Sequence, residues 1–113
     1  MATVTRVGKV DHTLFDEIVR RILETVSPEK IVLFGSHARA RAGKASDVDI
    51  LVIIKSAQPR YKRSVPIYRA LAGLLVPLDI VVFTPEEVSA WSTVPQAFVT
   101  SALASGRVLY EKD

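Results

Sequence analysis

Two stretches decide the fold: Lys30-Ile31-Val32-Leu33-Phe34-Gly35-Ser36 and, after ten intervening residues, Asp47-Val48-Asp49-Ile50-Leu51-Val52-Ile53-Ile54. Each contains a short apolar run rich in β-branched residues, and the first closes on glycine, so both read as strands. Beyond Asp49 the second run is apolar on both faces, which predicts a central position in a sheet covered on both sides. Between them, Ser36 to Arg41 lacks β-branching and can form a short helix, released by Ala42-Gly43-Lys44-Ala45-Ser46.

Working outward, Asp11 can cap a helix whose apolar positions Leu14, Phe15, Ile18, Val19, Ile22, Leu23 and Val26 follow i, i+3, i+4 spacing, with Ser27-Pro28 ending it. Downstream, a polar connection from Lys55 to Pro59 leads into a helix ending near Leu75, with Pro66 demanding either a delayed start or a kink. Leu78 to Phe83 reads as a third strand. Thr84-Pro85-Glu86-Glu87 then has a capping threonine, proline at the first helical position and acids in the first turn. A helix around Gln96 to Ala104, closed by Gly106, and a short last strand from Arg107 to Tyr110 complete an α/β (α+β) pattern of strands flanked by helices. Trp91, Phe98 and Tyr110 read as core residues. No repeat, low-complexity tract or linker interrupts the chain, and one domain over residues 1–113 is expected.

Composition narrows the function classes. With 113 residues and 49% apolar content, one packed core is within reach without covalent help. The absence of cysteine excludes disulfide scaffolds, thiolate metal sites and cysteine nucleophiles, and favours a cytoplasmic setting. The longest apolar run, Ile50 to Ile54, is too short to cross a bilayer, so a soluble protein is expected. The net charge is only +3, yet Lys55, Arg60, Lys62, Arg63 and Arg69 fall in an interval without acids between Asp49 and Asp79. Aromatic residues interleave them only at Tyr61 and Tyr68, which favours a solvated helix face over a nucleic-acid interface. His12 reads as a surface residue; His37 stands beside Ser36, within reach of a ligand bound there.

Three carboxylates stand where apolar strands normally exclude charge: Asp47 and Asp49 at the start of one strand and Asp79 near the start of another. Such a cluster demands a compensating cation. Side chains at i and i+2 of a strand share a face at roughly 6–7 Å, so Asp47 and Asp49 can converge on a divalent ion, with Asp79 completing the site from a neighbouring strand. All-oxygen ligands favour magnesium or manganese over zinc. Gly35-Ser36 lets phosphate approach the backbone, with N–H groups and the serine hydroxyl as donors, and Arg39 is placed to add a guanidinium.

Taken together, Gly35-Ser36, Asp47-Val48-Asp49 and the lone strand residue Asp79 resemble the signature of the DNA polymerase beta type nucleotidyltransferase superfamily. The short length and the ending Gly106-Arg107-Val108-Leu109-Tyr110-Glu111 are similar to its minimal nucleotidyltransferase members. The resemblance implies a small mixed β-sheet flanked by helices and a two-metal transfer of a nucleoside monophosphate, AMP from ATP. In that scheme Asp47 and Asp49 bind both magnesium ions, Asp79 binds the hydroxyl-side ion and helps accept the proton, and Gly35 and Ser36 hold the β- and γ-phosphates. It also implies a partner, an all-helical HEPN-domain protein, with this chain as antitoxin of the pair and a tyrosine of the toxin as one acceptor. Two other readings stand beside it: an antitoxin that acts by binding alone, and a free-standing enzyme modifying a small hydroxylated molecule such as an aminoglycoside. The chain departs from the family pattern at Ala40, often glycine, at His37, often aromatic or arginine, and at Ala45, often acidic. These departures bear on substrate preference and rate more than on reaction type.

Overall fold

The computed structural model describes residues 12–35, 37–38 and 47–113. The first helix, α1 (His12–Thr25), buries Leu14, Phe15, Ile18 and Ile22, the stripe its spacing predicts. Its far side carries a charged ladder in which Glu17 pairs with Arg20 and Arg21, and Arg20 also with Glu24. The capping role expected of Asp11 lies outside the described residues.

Among the described residues four strands, β1 (Lys30–Phe34), β2 (Val48–Ile53), β3 (Leu78–Phe83) and β4 (Arg107–Glu111), form one sheet in the order β3-β2-β1-β4. β2 runs antiparallel to β1 and parallel to β3, and β4 runs antiparallel to β1, so the sheet is mixed. β2 is interior, as its two-sided apolar pattern requires. One face of the sheet, with Ile31, Leu33, Ile50, Val52, Ile80 and Val82, packs against α1 and the third helix. The other face, with Val32, Leu51, Ile53 and Phe83, meets Val99 and Ala102. Full burial of each such side chain stabilises by about 1.5–3 kcal/mol, which makes this two-sided cover the main support of β2.

The basic segment differs from the single helix expected to run on to Leu75. It forms two short helices, α2 (Arg60–Arg63) and α3 (Val65–Ala70), with Ser64 between them and Pro66 in the first turn of α3. Proline lacks the N–H that a continuous helix would need there, and the first turn is where that loss is harmless. This pair covers the outer edge of β3: Tyr68 Oη accepts the Ile80 N–H at 2.8 Å, and Arg63 Nη1 reaches the Val82 carbonyl at 3.5 Å. An edge strand that would otherwise expose its backbone is thereby capped by side chains.

Helix α4 (Pro85–Trp91) opens on a reciprocal cap, with Glu87 N–H donating to Thr84 Oγ1 and Thr84 N–H donating to Glu87 Oε1. Helix α5 (Phe98–Ser105) follows. Gly106 ends it where a Cβ would come within 2.5 Å of both the Ala102 carbonyl and Val32 Cγ1, so glycine lets the chain turn directly down onto β1. Among the described residues no helix is long and apolar enough to cross a membrane.

Candidate active site

The acids gather at one end of the sheet through strand register. Phe34, the last residue of β1, pairs with Asp49, and Asp49 pairs across the parallel ladder with Asp79. Residues paired across a ladder share a face, so the two carboxylates project to the same side from adjacent strands. Asp47 precedes β2 by one residue, two positions before Asp49. The face they share is that of Leu51 and Phe83, the side covered by α5.

The backbone turn after β1 closes directly on this group. Gly35 has φ +75°, and a Cβ there would stand 2.3 Å from Asp49 Oδ2, so both the left-handed backbone and the close approach require glycine. The Ala38 N–H returns to the Gly35 carbonyl at 3.2 Å, which keeps the turn tight around His37. Burial pushes the Asp49 carboxyl above its ordinary value, the negative charges of Asp79 and Asp47 push it further, and His37 opposes the rise. Asp79, Asp47 and His37 therefore all act electrostatically on Asp49. Ser36 and Arg39, expected to contact phosphate, lie outside the described residues, as does most of the expected Ser36–Arg41 helix.

Two sequence expectations are corrected by burial. The acids are not enclosed in the core: Asp47 and Asp79 are exposed and Asp49 is half-buried, because the cluster sits at the sheet's end, where the flanking helices stop covering it. Trp91 and Phe98 are not core residues either, being 47% and 52% exposed. Phe98 stacks edge-on against Phe34 at 5.3 Å, and with Phe83, Trp91 and Arg60 it lines a hollow of about 400 Å³. A larger hollow of about 660 Å³, beside Lys30, Ile53 and Glu111, lies at the opposite end of the sheet. The larger hollow and the paired carboxylates thus lie at opposite ends of the sheet. Sequence reading also missed Tyr68 and Arg63 as supports of β3, since nothing in helical periodicity marks a side chain that will bond to a strand edge.

Residues 15–102 match the family described as nucleotidyltransferase domain. The chain belongs to this family. A Methanocaldococcus jannaschii protein provisionally named a protein adenylyltransferase is similar to it, 25% identical over 93% of this chain and 75% of its own length. A provisionally assigned nucleotidyltransferase from Sulfolobus solfataricus shares its structure with a TM-score of 0.56 at 27% identity, covering 69% of this chain and 70% of that one. A chain from a toxin–antitoxin crystal structure with AMP-PNP gives a TM-score of 0.61 over 88% of this chain and 74% of its own, at 21% identity, which speaks for the fold alone. The nucleotidyltransferase thus has the mixed α/β architecture and the activity class that its motif implied.

Proposed function

We propose that this nucleotidyltransferase moves AMP from ATP onto a hydroxyl of a partner protein with the help of magnesium, and that the partner is the helical HEPN-domain toxin of a toxin–antitoxin pair. The observation that carries the reading is the register of Asp49 opposite Asp79, with the Gly35 backbone pressed against Asp49. Two relatives support AMP transfer to a protein and a toxin–antitoxin setting, the one named for protein adenylyl transfer and the chain from the toxin–antitoxin structure with AMP-PNP, whereas magnesium and the helical HEPN-domain partner rest on the family resemblance.

The residues suit divalent metal. Their donors are carboxylate oxygens, and of the two causes that raise the Asp49 carboxyl, burial first and then repulsion by Asp79 and Asp47, the second is the kind a divalent cation relieves. Among the described residues no group of three or more histidines, cysteines or acids is placed to hold a metal ion by itself, so substrate phosphates would have to supply part of the shell. Magnesium is commonly bound by one or two carboxylates with substrate phosphates completing its shell. Asp47 and Asp49 would hold two ions and Asp79 the one on the hydroxyl side, with manganese an alternative. When bound, the metal supplies charge neutralisation to the triphosphate and acidity to the attacking hydroxyl.

The chain's own contribution is positioning. Gly35, Ser36 and Arg39 hold the β- and γ-phosphates and so direct the α-phosphorus toward the acids. Asp79 receives the proton as the acceptor oxygen bonds to the α-phosphorus and the bond to pyrophosphate breaks. The experiment is intact-mass analysis of the cognate helical partner after incubation with this chain, ATP and magnesium. A gain of one or more AMP units is expected, and it should vanish when Asp47 and Asp49 are both replaced by asparagine. Neutralisation of the toxin by that double variant without any mass gain would instead favour action by binding alone.

A further inference from the structure

β3 carries Asp79 but is an edge strand, paired on one side only. Its inner side is fixed by the ladder to β2, reinforced where the Val48 N–H donates to the Pro77 carbonyl at 2.9 Å. Among the described residues no strand lies on its outer side. There the Ile80 N–H donates to Tyr68 Oη at 2.8 Å, and this N–H belongs to the peptide that joins Asp79 to Ile80. Asp79 and Asp49 are like charges at paired positions, so they repel, and the outer strand is the one free to yield.

Tyr68 is well placed to resist that movement. Its helix is anchored by Ile67 and Leu71, both buried in the core shared with α1, and Arg21 of α1 donates to the Ala72 carbonyl at 3.0 Å just beyond it. The hydroxyl is therefore tied through a packed helix to the body of the domain, whereas water at the same N–H would fix nothing.

We propose that Tyr68 is a positioning residue for nucleotidyl transfer: by accepting the Ile80 N–H it locks the peptide after Asp79 and holds that carboxylate opposite Asp49. The inference rests on the reading of Asp79 as a metal ligand, and the test separates the two. The probe is manganese(II) alone, its binding followed by electron paramagnetic resonance on wild type, Tyr68→Phe, Ile67→Val and Asp79→Asn. Tyr68→Phe keeps the ring and removes only the acceptor; Ile67→Val loosens the same helix and leaves the hydroxyl in place. Tyr68→Phe should weaken manganese binding roughly fivefold, about 1 kcal/mol, and speed hydrogen exchange at the Ile80 amide. Ile67→Val should stay within about twofold of wild type, as befits a small core change, and Asp79→Asn should lose tenfold or more, the penalty of a lost charged ligand. Wild-type affinity in Tyr68→Phe together with a loss in Asp79→Asn would overturn the role of Tyr68 alone. An equal loss in Ile67→Val would reduce that role to general support of the helix and overturn it likewise. Wild-type affinity in Asp79→Asn would remove the metal reading and this inference with it.

Discussion

At Asp49 a half-buried carboxylate faces two neighbours of its own charge, with the backbone of Gly35 against it. Replacing it by asparagine keeps the shape and removes the repulsion. The metal-free Asp49→Asn protein should therefore melt at or above the wild-type temperature at pH 7, while nucleotidyl transfer falls on the order of a hundredfold or more, the scale of losing a main charge-stabilising group. Calorimetry beside a transfer assay checks both halves. Gly35→Ala acts in the opposite sense: a positive φ and a contact of 2.3 Å should cost about 1–3 kcal/mol in urea titration, and activity should fall as well. At this scale much was legible. The spacing of Gly35-Ser36 and Asp47-Val48-Asp49 marks the cluster, because strand periodicity alone places Asp47 and Asp49 on one face. Exposure was not legible, since whether Asp79 lies under a helix or beyond its end depends on where α5 crosses the sheet.

Helix α4 shows how far an element can be read and where reading stops. Thr84, Pro85 and Glu87 announce the cap from sequence, and the structure has both of its reciprocal hydrogen bonds. The partners of Glu87 from α2, Arg63 at 2.7 Å and Arg60 at 3.6 Å, come from more than twenty residues upstream, and no local pattern foretells them. Burial pulls the Glu87 carboxyl upward, but the Thr84 N–H and the two guanidiniums together outweigh it and hold the carboxyl below its ordinary value of 4.5. A depressed carboxyl stabilises the fold above its unfolded pKa, and that contribution is lost as pH falls through the folded value. Wild type should thus lose more stability than Glu87→Gln between about pH 4.5 and lower pH, and at neutral pH the variant should be weaker by about 1 kcal/mol, as expected for a damaged cap. Urea titrations across that range measure both. Pro66 illustrates the same limit: it announces a break without saying on which side a helix resumes, and the break at Ser64 follows from the need of α3 to bring Ile67 and Leu71 onto the sheet.

Across the whole molecule, β2 joins two cores that share no helix. Ile50 faces α1 and α3, whereas its neighbour Leu51 faces α5, and both are fully buried. Ile50→Ala and Leu51→Ala should each cost about 2–5 kcal/mol in urea titration. The two-sided apolar run made β2's central place readable. Its mixed pairing was not readable from the residues, because antiparallel β1 and parallel β3 present the same hydrophobic pattern; only the family resemblance supplied it. That pairing is what brings the end of β1 and the starts of β2 and β3 to one place. The most direct measurement of what this place does is anomalous diffraction from crystals grown with manganese and a non-hydrolysable ATP analogue. Metal density is expected against Asp47, Asp49 and Asp79, with the phosphates over Gly35 and Ser36; nucleotide bound elsewhere, or metal away from these carboxylates, would contradict the proposed function.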